Sequence, residues 1–202
     1  MMSTGKWYWE VKSETDATNE SYCIQLYQNG SIAAYMYRYN PNNSQVGRRA
    51  EGSGITYFPN ESAPKFIFEN AAINNYGTQA SANDIIMCAL DLSNATTGKL
   101  WFGKNGTWYN APGTSDLGNP ATGANAGVSF AKGGEYWGIS ISSGSNAANN
   151  AERDTHINFG TGHFGNTAVS SAQSDDAGVG IFEYDPPAGF YAICTKNIKT
   201  YG

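Results

Sequence analysis

The sequence predicts an all-β chain folded as an antiparallel two-sheet β-sandwich, and three observations carry that prediction. Apolar residues recur at every second position through short runs, the period at which strand side chains alternate between faces. Tyr, Phe and Trp supply 13% of the residues, which favours strands over helices. Gly, Asn, Ser and Thr collect between the apolar runs and cut the chain into short segments with turn signals, at the spacing of a sandwich. No helix of normal length, internal repeat or linker is visible, so a single domain over residues 1–202 is expected.

The elements follow in order. GKWYWEV opens the fold: Trp7, Trp9 and Val11 share a face with Tyr8 and Glu10 opposite, the pattern of a half-buried strand. Tyr22 to Gln28 is a second strand, Asn29-Gly30-Ser31 a hairpin signal, and Ile32 to Tyr39 a third strand with Tyr35, Tyr37 and Tyr39 on one face. Asn40 to Gly54 is a long polar loop holding Pro41 and Arg48-Arg49, and short strands Ile55 to Phe58 and Lys65 to Glu69 flank Pro59-Asn60. Asn74-Asn75-Tyr76-Gly77 is a turn.

The central piece runs from Asp84 to Trp108. Ile86, Cys88, Leu90 and Leu92 fall on one strand face and Ile85, Met87 and Ala89 on the other. A strand apolar on both faces belongs inside a layered structure, not at its edge. The next strand places Leu100 and Phe102 opposite Lys99 and Trp101, and Asn105-Gly106 tolerates positive φ twice, as a two-residue type I′ hairpin requires. A short third strand carries Trp108 and Tyr109. Beyond it, Asn110 to Gly127 has almost no apolar mass and reads as loop. Strands follow at Val128 to Ala131, Tyr136 to Ser142 and Thr155 to Gly160, with loops at Ser143 to Asn150 and Thr167 to Gly180, and Phe190 to Thr195 reads as the last strand. Trp7, Trp9, Trp101 and Trp137 are assigned to the core because alternation sets them beside other apolar residues.

Charge narrows the function. Only 14% of residues are charged and the net charge is −5, so nothing supplies the basic face that phosphates or anionic membranes demand. No apolar run reaches membrane-spanning length, and no signal peptide is visible before Lys6. Cys23, Cys88 and Cys194 each sit in an apolar run without a CxxC pair, which reads as three free buried thiols and no zinc site.

Catalysis finds no constellation. His156 and His163 are the only histidines, and no serine sits in a GxSxG elbow that Asp154 and His156 would complete. Glu10, Glu69, Asp91, Glu135, Glu183 and Asp185 show no spacing that pairs two carboxylates for glycosidase chemistry. Asp175-Asp176, or Glu183 with Asp185, offer oxygen ligands of the kind calcium takes, but no repeated Asp pattern accompanies them. The expectation is no enzyme, no metal and no cofactor.

GKWYWEV, the NYG turn, DIIMCALDL, GKLWFGKNGTW, INFG and PPAGFYAICT occur in this order across nearly the whole chain. Together they resemble a SPRY (B30.2-like) domain, and GNPATG after the hairpin with PPAGFYAICT at the end is similar to the variant found in tailed-phage virion proteins. The resemblance implies a bent antiparallel sandwich related to concanavalin-like jelly rolls, with no shared catalytic residue or cofactor and recognition through loops at one end. It implies a virion location, after synthesis in the host cytoplasm. Two roles follow from it: a tail-fibre or spike-like module that binds a host-surface glycan or protein, or a capsid decoration or cement subunit that contacts other virion proteins. Homo-oligomerisation stays open, and neither nucleic acid nor membrane insertion is expected. The candidate binding residues are Tyr35, Tyr37 and Tyr39 as an aromatic platform, Arg48 and Arg49 as guanidinium forks for a carboxylate, and Trp108 and Tyr109 beyond the hairpin.

Overall fold

Two antiparallel sheets pack face to face in a computed structural model that describes residues 2–14, 22–28, 54–60, 62–68, 71–133, 136–143 and 154–202. In chain order the strands are β1 (Lys6–Ser13), β2 (Tyr22–Gln28), β3 (Gly54–Phe58), β4 (Lys65–Phe68), β5 (Ala71–Asn74), β6 (Ile85–Asp91), β7 (Thr97–Lys104), β8 (Thr107–Trp108), β9 (Val128–Ala131), β10 (Trp137–Ser143) and β11 (Thr155–Asn158). Five two-residue strands follow: β12 (His163–Phe164), β13 (Thr167–Ala168), β14 (Gln173–Ser174), β15 (Ile181–Phe182) and β16 (Tyr191–Ala192). The chain then turns into a short helix, α1 (Thr195–Tyr201).

One sheet runs β11-β1-β6-β7-β8, with β16 added parallel to β1 and β9 antiparallel to β7; the other runs β10-β2-β3-β4-β5. Register explains the core. Trp7, Leu90 and Leu100 lie in one cross-strand row and Trp9, Cys88 and Phe102 in the next, all facing the second sheet. From that sheet Ile55, Tyr57, Phe66 and Trp137 meet them, and Tyr57 stacks on Phe102 at 4.4 Å between ring centroids. The all-β sandwich predicted from alternation is the fold observed.

The opposite face of the larger sheet holds a second apolar layer. Tyr8, Met87, Ala89 and Trp101 point outward and are covered by Phe182, Phe190 and Ala192 from the C-terminal segment. The two-faced apolar pattern of β6 is thereby accounted for. β1, read as half-buried, is in fact buried on both faces, because Tyr8 and Glu10 lie under the same cover. All four tryptophans assigned to the core are 0–1% exposed. Cys88 is a buried free thiol and Cys194 a free, partly buried one, while the side chain of Cys23 lies outside the described residues.

Three boundaries differ from the sequence reading. β5 was not foreseen; it pairs β4 through Lys65–Asn74 and Phe66–Ile73. Residues 167–180, expected as loop, hold two short strands that pair outside the sandwich, β13 with β12 and β14 with β15. The last strand is only Tyr191–Ala192, since its parallel pairing with β1 covers two residues and the chain then enters α1. Buried Asn197 holds that helix in place: its amide donates to Asp175 Oδ2 at 2.9 Å and to the Ala192 carbonyl at 3.1 Å.

Candidate functional site

The strongest candidate surface is built on the β7–β8 hairpin. Asn105 and Gly106 take φ of +49° and +84°, the expected two-residue turn. Asn105 also locks that turn to β6, accepting from the Ile85 N–H at 2.8 Å and donating to Asp84 Oδ1 at 2.7 Å. Asp84 further accepts from the Ser81 N–H and pairs with Lys104 at 3.3 Å. Partial burial pushes the Asp84 carboxyl up, but these hydrogen bonds and the lysine outweigh it and hold the carboxyl below its ordinary value.

β8 then launches the loop of residues 110–127. The loop has no long strand but is ordered by its own contacts: bridges Asn110–Leu117 and Asn119–Ala124, and a 3₁₀ turn Pro120–Thr122 whose Thr122 N–H donates to Asn119 Oδ1. β7 ties it down from below. Lys99 Nζ donates to the Gly123 carbonyl at 2.6 Å, and Trp101 Nε1 to the Ala124 carbonyl at 2.8 Å.

A groove of about 350 Å³ opens between residues 75–78 on one side and residues 107–114 with Leu117 on the other. Trp108 lines the groove, but its partly exposed ring turns into the outer layer, edge-to-face with buried Tyr8 at 6.3 Å. Tyr109 is only 8% exposed; its ring packs among Tyr57 and Tyr76 and its hydroxyl donates to the Thr78 carbonyl at 3.2 Å. Burial pushes the Tyr109 phenol up, so it stays a neutral donor. Gly77 makes this wall close-fitting. Its φ is +85°, and a Cβ there would lie 2.6 Å from the Tyr109 ring. Tyr109 therefore contributes wall, and the exposed side chains of Asn75, Thr78, Thr107 and Asn110 are what the groove offers a ligand.

Tyr35, Tyr37, Tyr39, Arg48 and Arg49 lie outside the described residues. The strands flanking that segment end at Gln28 and begin at Gly54, where β2 meets Trp137 and Tyr27 pairs Gly54. That is the end of the sandwich away from the β7–β8 turn, since Met2, just before β1, bridges Trp137 while Ser13, at the far end of β1, accepts from the Asn83 N–H. The wall at residues 75–78 was read from sequence only as a turn, because nothing local to NNYG shows that it faces the β8 loop.

Four of the carboxylates weighed for chemistry, Glu10, Asp175, Asp176 and Glu183, accept bonds from the fold itself, while Glu69 and Glu135 lie outside the described residues. Glu10 is fully buried and accepts from Tyr8 Oη, Asn158 Nδ2 and the N–H groups of Glu183 and Tyr184, clamping the C-terminal segment to the sheet. Burial pushes its carboxyl up, and these four donors only partly offset that. Asp175, expected in a solvated loop, is 3% exposed and accepts from the N–H groups of Val179, Gly180 and Ala192 and from Asn197. Burial raises its carboxyl, yet those bonds prevail and hold it below its ordinary value. Asp176 accepts from the Gly189 N–H, and Glu183 from the Ser170 N–H and hydroxyl. No group of three or more His, Cys, Asp or Glu side chains placed to hold a metal occurs among the described residues. His156 sits 3.9 Å from Glu14, and the Gly165 Cα faces its ring closely enough that a Cβ would lie 2.8 Å away.

No protein-family model matches the chain, and no curated protein matches it either. No helix among the described residues is long and apolar enough to cross a membrane.

Proposed function

We propose that the chain is a non-enzymatic recognition module of a tailed-phage virion, SPRY-like in kind, that engages a host-surface glycan or protein through the groove beside Trp108. The observation that carries this reading is an open groove lined by loop residues on a hairpin held from both sides. Function concentrates on loops that a rigid scaffold positions, and this loop is launched from the best-packed strands of the fold. The virion assignment rests on the sequence motifs alone, from GKWYWEV to PPAGFYAICT. The test is adhesion of the fluorescently labelled full chain to a panel of bacterial strains by flow cytometry. Strain-selective adhesion supports the module, and silence across the panel refutes it.

A second reading, a decoration subunit gripping neighbouring virion proteins, is favoured by exposed large apolar side chains at Leu117, Tyr136, Ile181 and Tyr201. Counting copies of the chain in purified virions separates the two. Hundreds favour decoration, and a handful favours a fibre or spike.

A further inference from the structure

Taking the groove as the binding surface, we infer that its ligand is a neutral saccharide, one or two sugar rings of a longer glycan held between residues 75–78 and 107–114. Four features converge on this class. First, no Asp, Glu, Lys or Arg among the described residues lines the groove. A charged ligand would give up hydration there without gaining a partner. Second, the side chains of Asn75, Thr78, Thr107 and Asn110 are exposed and make no hydrogen bond to the described residues. Short amides and hydroxyls both donate and accept, which is the complement of a ring bearing several hydroxyls. Third, the Tyr109 ring packs among Tyr57 and Tyr76 and its hydroxyl is held by the Thr78 carbonyl, so this wall is fixed before any ligand arrives and costs little entropy on binding. Fourth, about 350 Å³ sits at the small end of the roughly 300–1,000 Å³ that ligand sites occupy, which suits a terminal sugar unit.

A peptide fits less well. Strand addition needs free backbone donors and acceptors along an edge. Here the edge strand β8 is only two residues long, and the chain beyond it is already paired: the Tyr109 carbonyl accepts from Gly118 and the Ala111 N–H donates to Asp116.

The test titrates the full chain with glucose, galactose, N-acetylglucosamine, cellobiose and chitobiose, and with glucuronic acid and glucosamine as charged counterparts. Saturation-transfer NMR and tryptophan fluorescence report binding. At least one neutral sugar binds with a Kd of roughly a millimolar or tighter, and neither charged one does. Asn110→Ala, which removes an exposed and unbonded side chain and leaves the fold intact, weakens binding about 2–12-fold, as loss of one hydrogen bond implies. Thr78→Ala, which keeps the carbonyl that holds Tyr109, weakens it by a similar factor. Silence across the neutral panel, equal binding of the charged sugars, or indifference to both substitutions overturns the inference. Adhesion to cells that survives periodate oxidation but not protease treatment also overturns it, while leaving the recognition reading standing. Absence of adhesion to every strain, with a neutral sugar still bound in the groove, overturns the recognition reading and leaves the ligand class intact.

Discussion

Asp175→Asn isolates how the outer layer is held. Asp175 Oδ1 accepts from the Val179 and Gly180 N–H groups at 2.9 and 3.1 Å, and Oδ2 from the Ala192 N–H and Asn197 Nδ2 at 2.8 and 2.9 Å. An asparagine replaces one of these oxygens with an NH₂ that faces two donors, whichever way the amide turns. Two donors lose their acceptor, at about 1–3 kcal/mol each, and local relaxation recovers part of that. A total loss of about 2–4 kcal/mol is expected, or roughly 4–16 °C in melting temperature for a chain of this size. The damage is local. Urea unfolding followed by tryptophan fluorescence gives the stability, and amide hydrogen exchange gives the place. The amides of Val179, Gly180 and Ala192 lose protection, while those of β6 and β7 keep theirs relative to the new global stability. Because the carboxyl is held below its ordinary value, its contribution is present above the unfolded aspartate pKa near 3.9 and is lost as pH falls through the lower folded value. Wild type and Asp175→Asn therefore converge in stability in acid. Equal melting temperatures at neutral pH, or unchanged exchange at those three amides, would refute the clamp.

Three further outcomes are expected. Trp101→Ala removes a 1%-exposed indole that packs edge-to-face on Phe190 and bonds the Ala124 carbonyl, and it costs about 3–5 kcal/mol; an unchanged melting temperature would mean the indole is not packed between sheet and loop. Gly77→Ala imposes positive φ on an alanine and drives its Cβ into the Tyr109 ring, costing about 1–3 kcal/mol in thermal denaturation and displacing the groove wall. Glu10 titrates with the opposite sign to Asp175: burial raises its folded pKa, so its contribution is complete below the ordinary glutamate range and is lost as pH rises through the raised value. Glu10→Gln flattens that limb of the melting temperature against pH, and a superimposable profile would count against the buried carboxylate.

Legibility from the sequence followed the reach of periodicity. β6 and β7 were readable because seven or eight consecutive residues declare both faces at once, and Asn105-Gly106 because its geometry is written in two adjacent residues. What covers the outer face was not readable. Phe182, Phe190 and Ala192 lie on or beside two-residue strands, too short to show any period, and their partners are more than 70 residues away in sequence. Glu10 shows the same limit. An acidic residue alternating with Trp9 and Val11 looks solvent-facing, and only the fold reveals four donors converging on it. For the candidate site, the strand that launches it was legible in Trp108 and the loop after it, but the opposing wall at residues 75–78 was not, because the two walls meet only in three dimensions.

The two layers also explain why recognition would sit on this hairpin. β7 is gripped on one face by Leu100 and Phe102 in the main core and on the other by Trp101 under Phe190. Lys99 and Trp101 then reach past the strand to fasten the carbonyls of Gly123 and Ala124. A loop nearly devoid of apolar side chains has no core of its own and would ordinarily be expensive to order around a ligand. Here β7 has already ordered part of it on folding. The outer layer thus does more than bury Met87 and Ala89: by holding Trp101, it fixes the base of the loop and lowers the entropy cost that a small, uncharged groove would otherwise have to meet from few contacts.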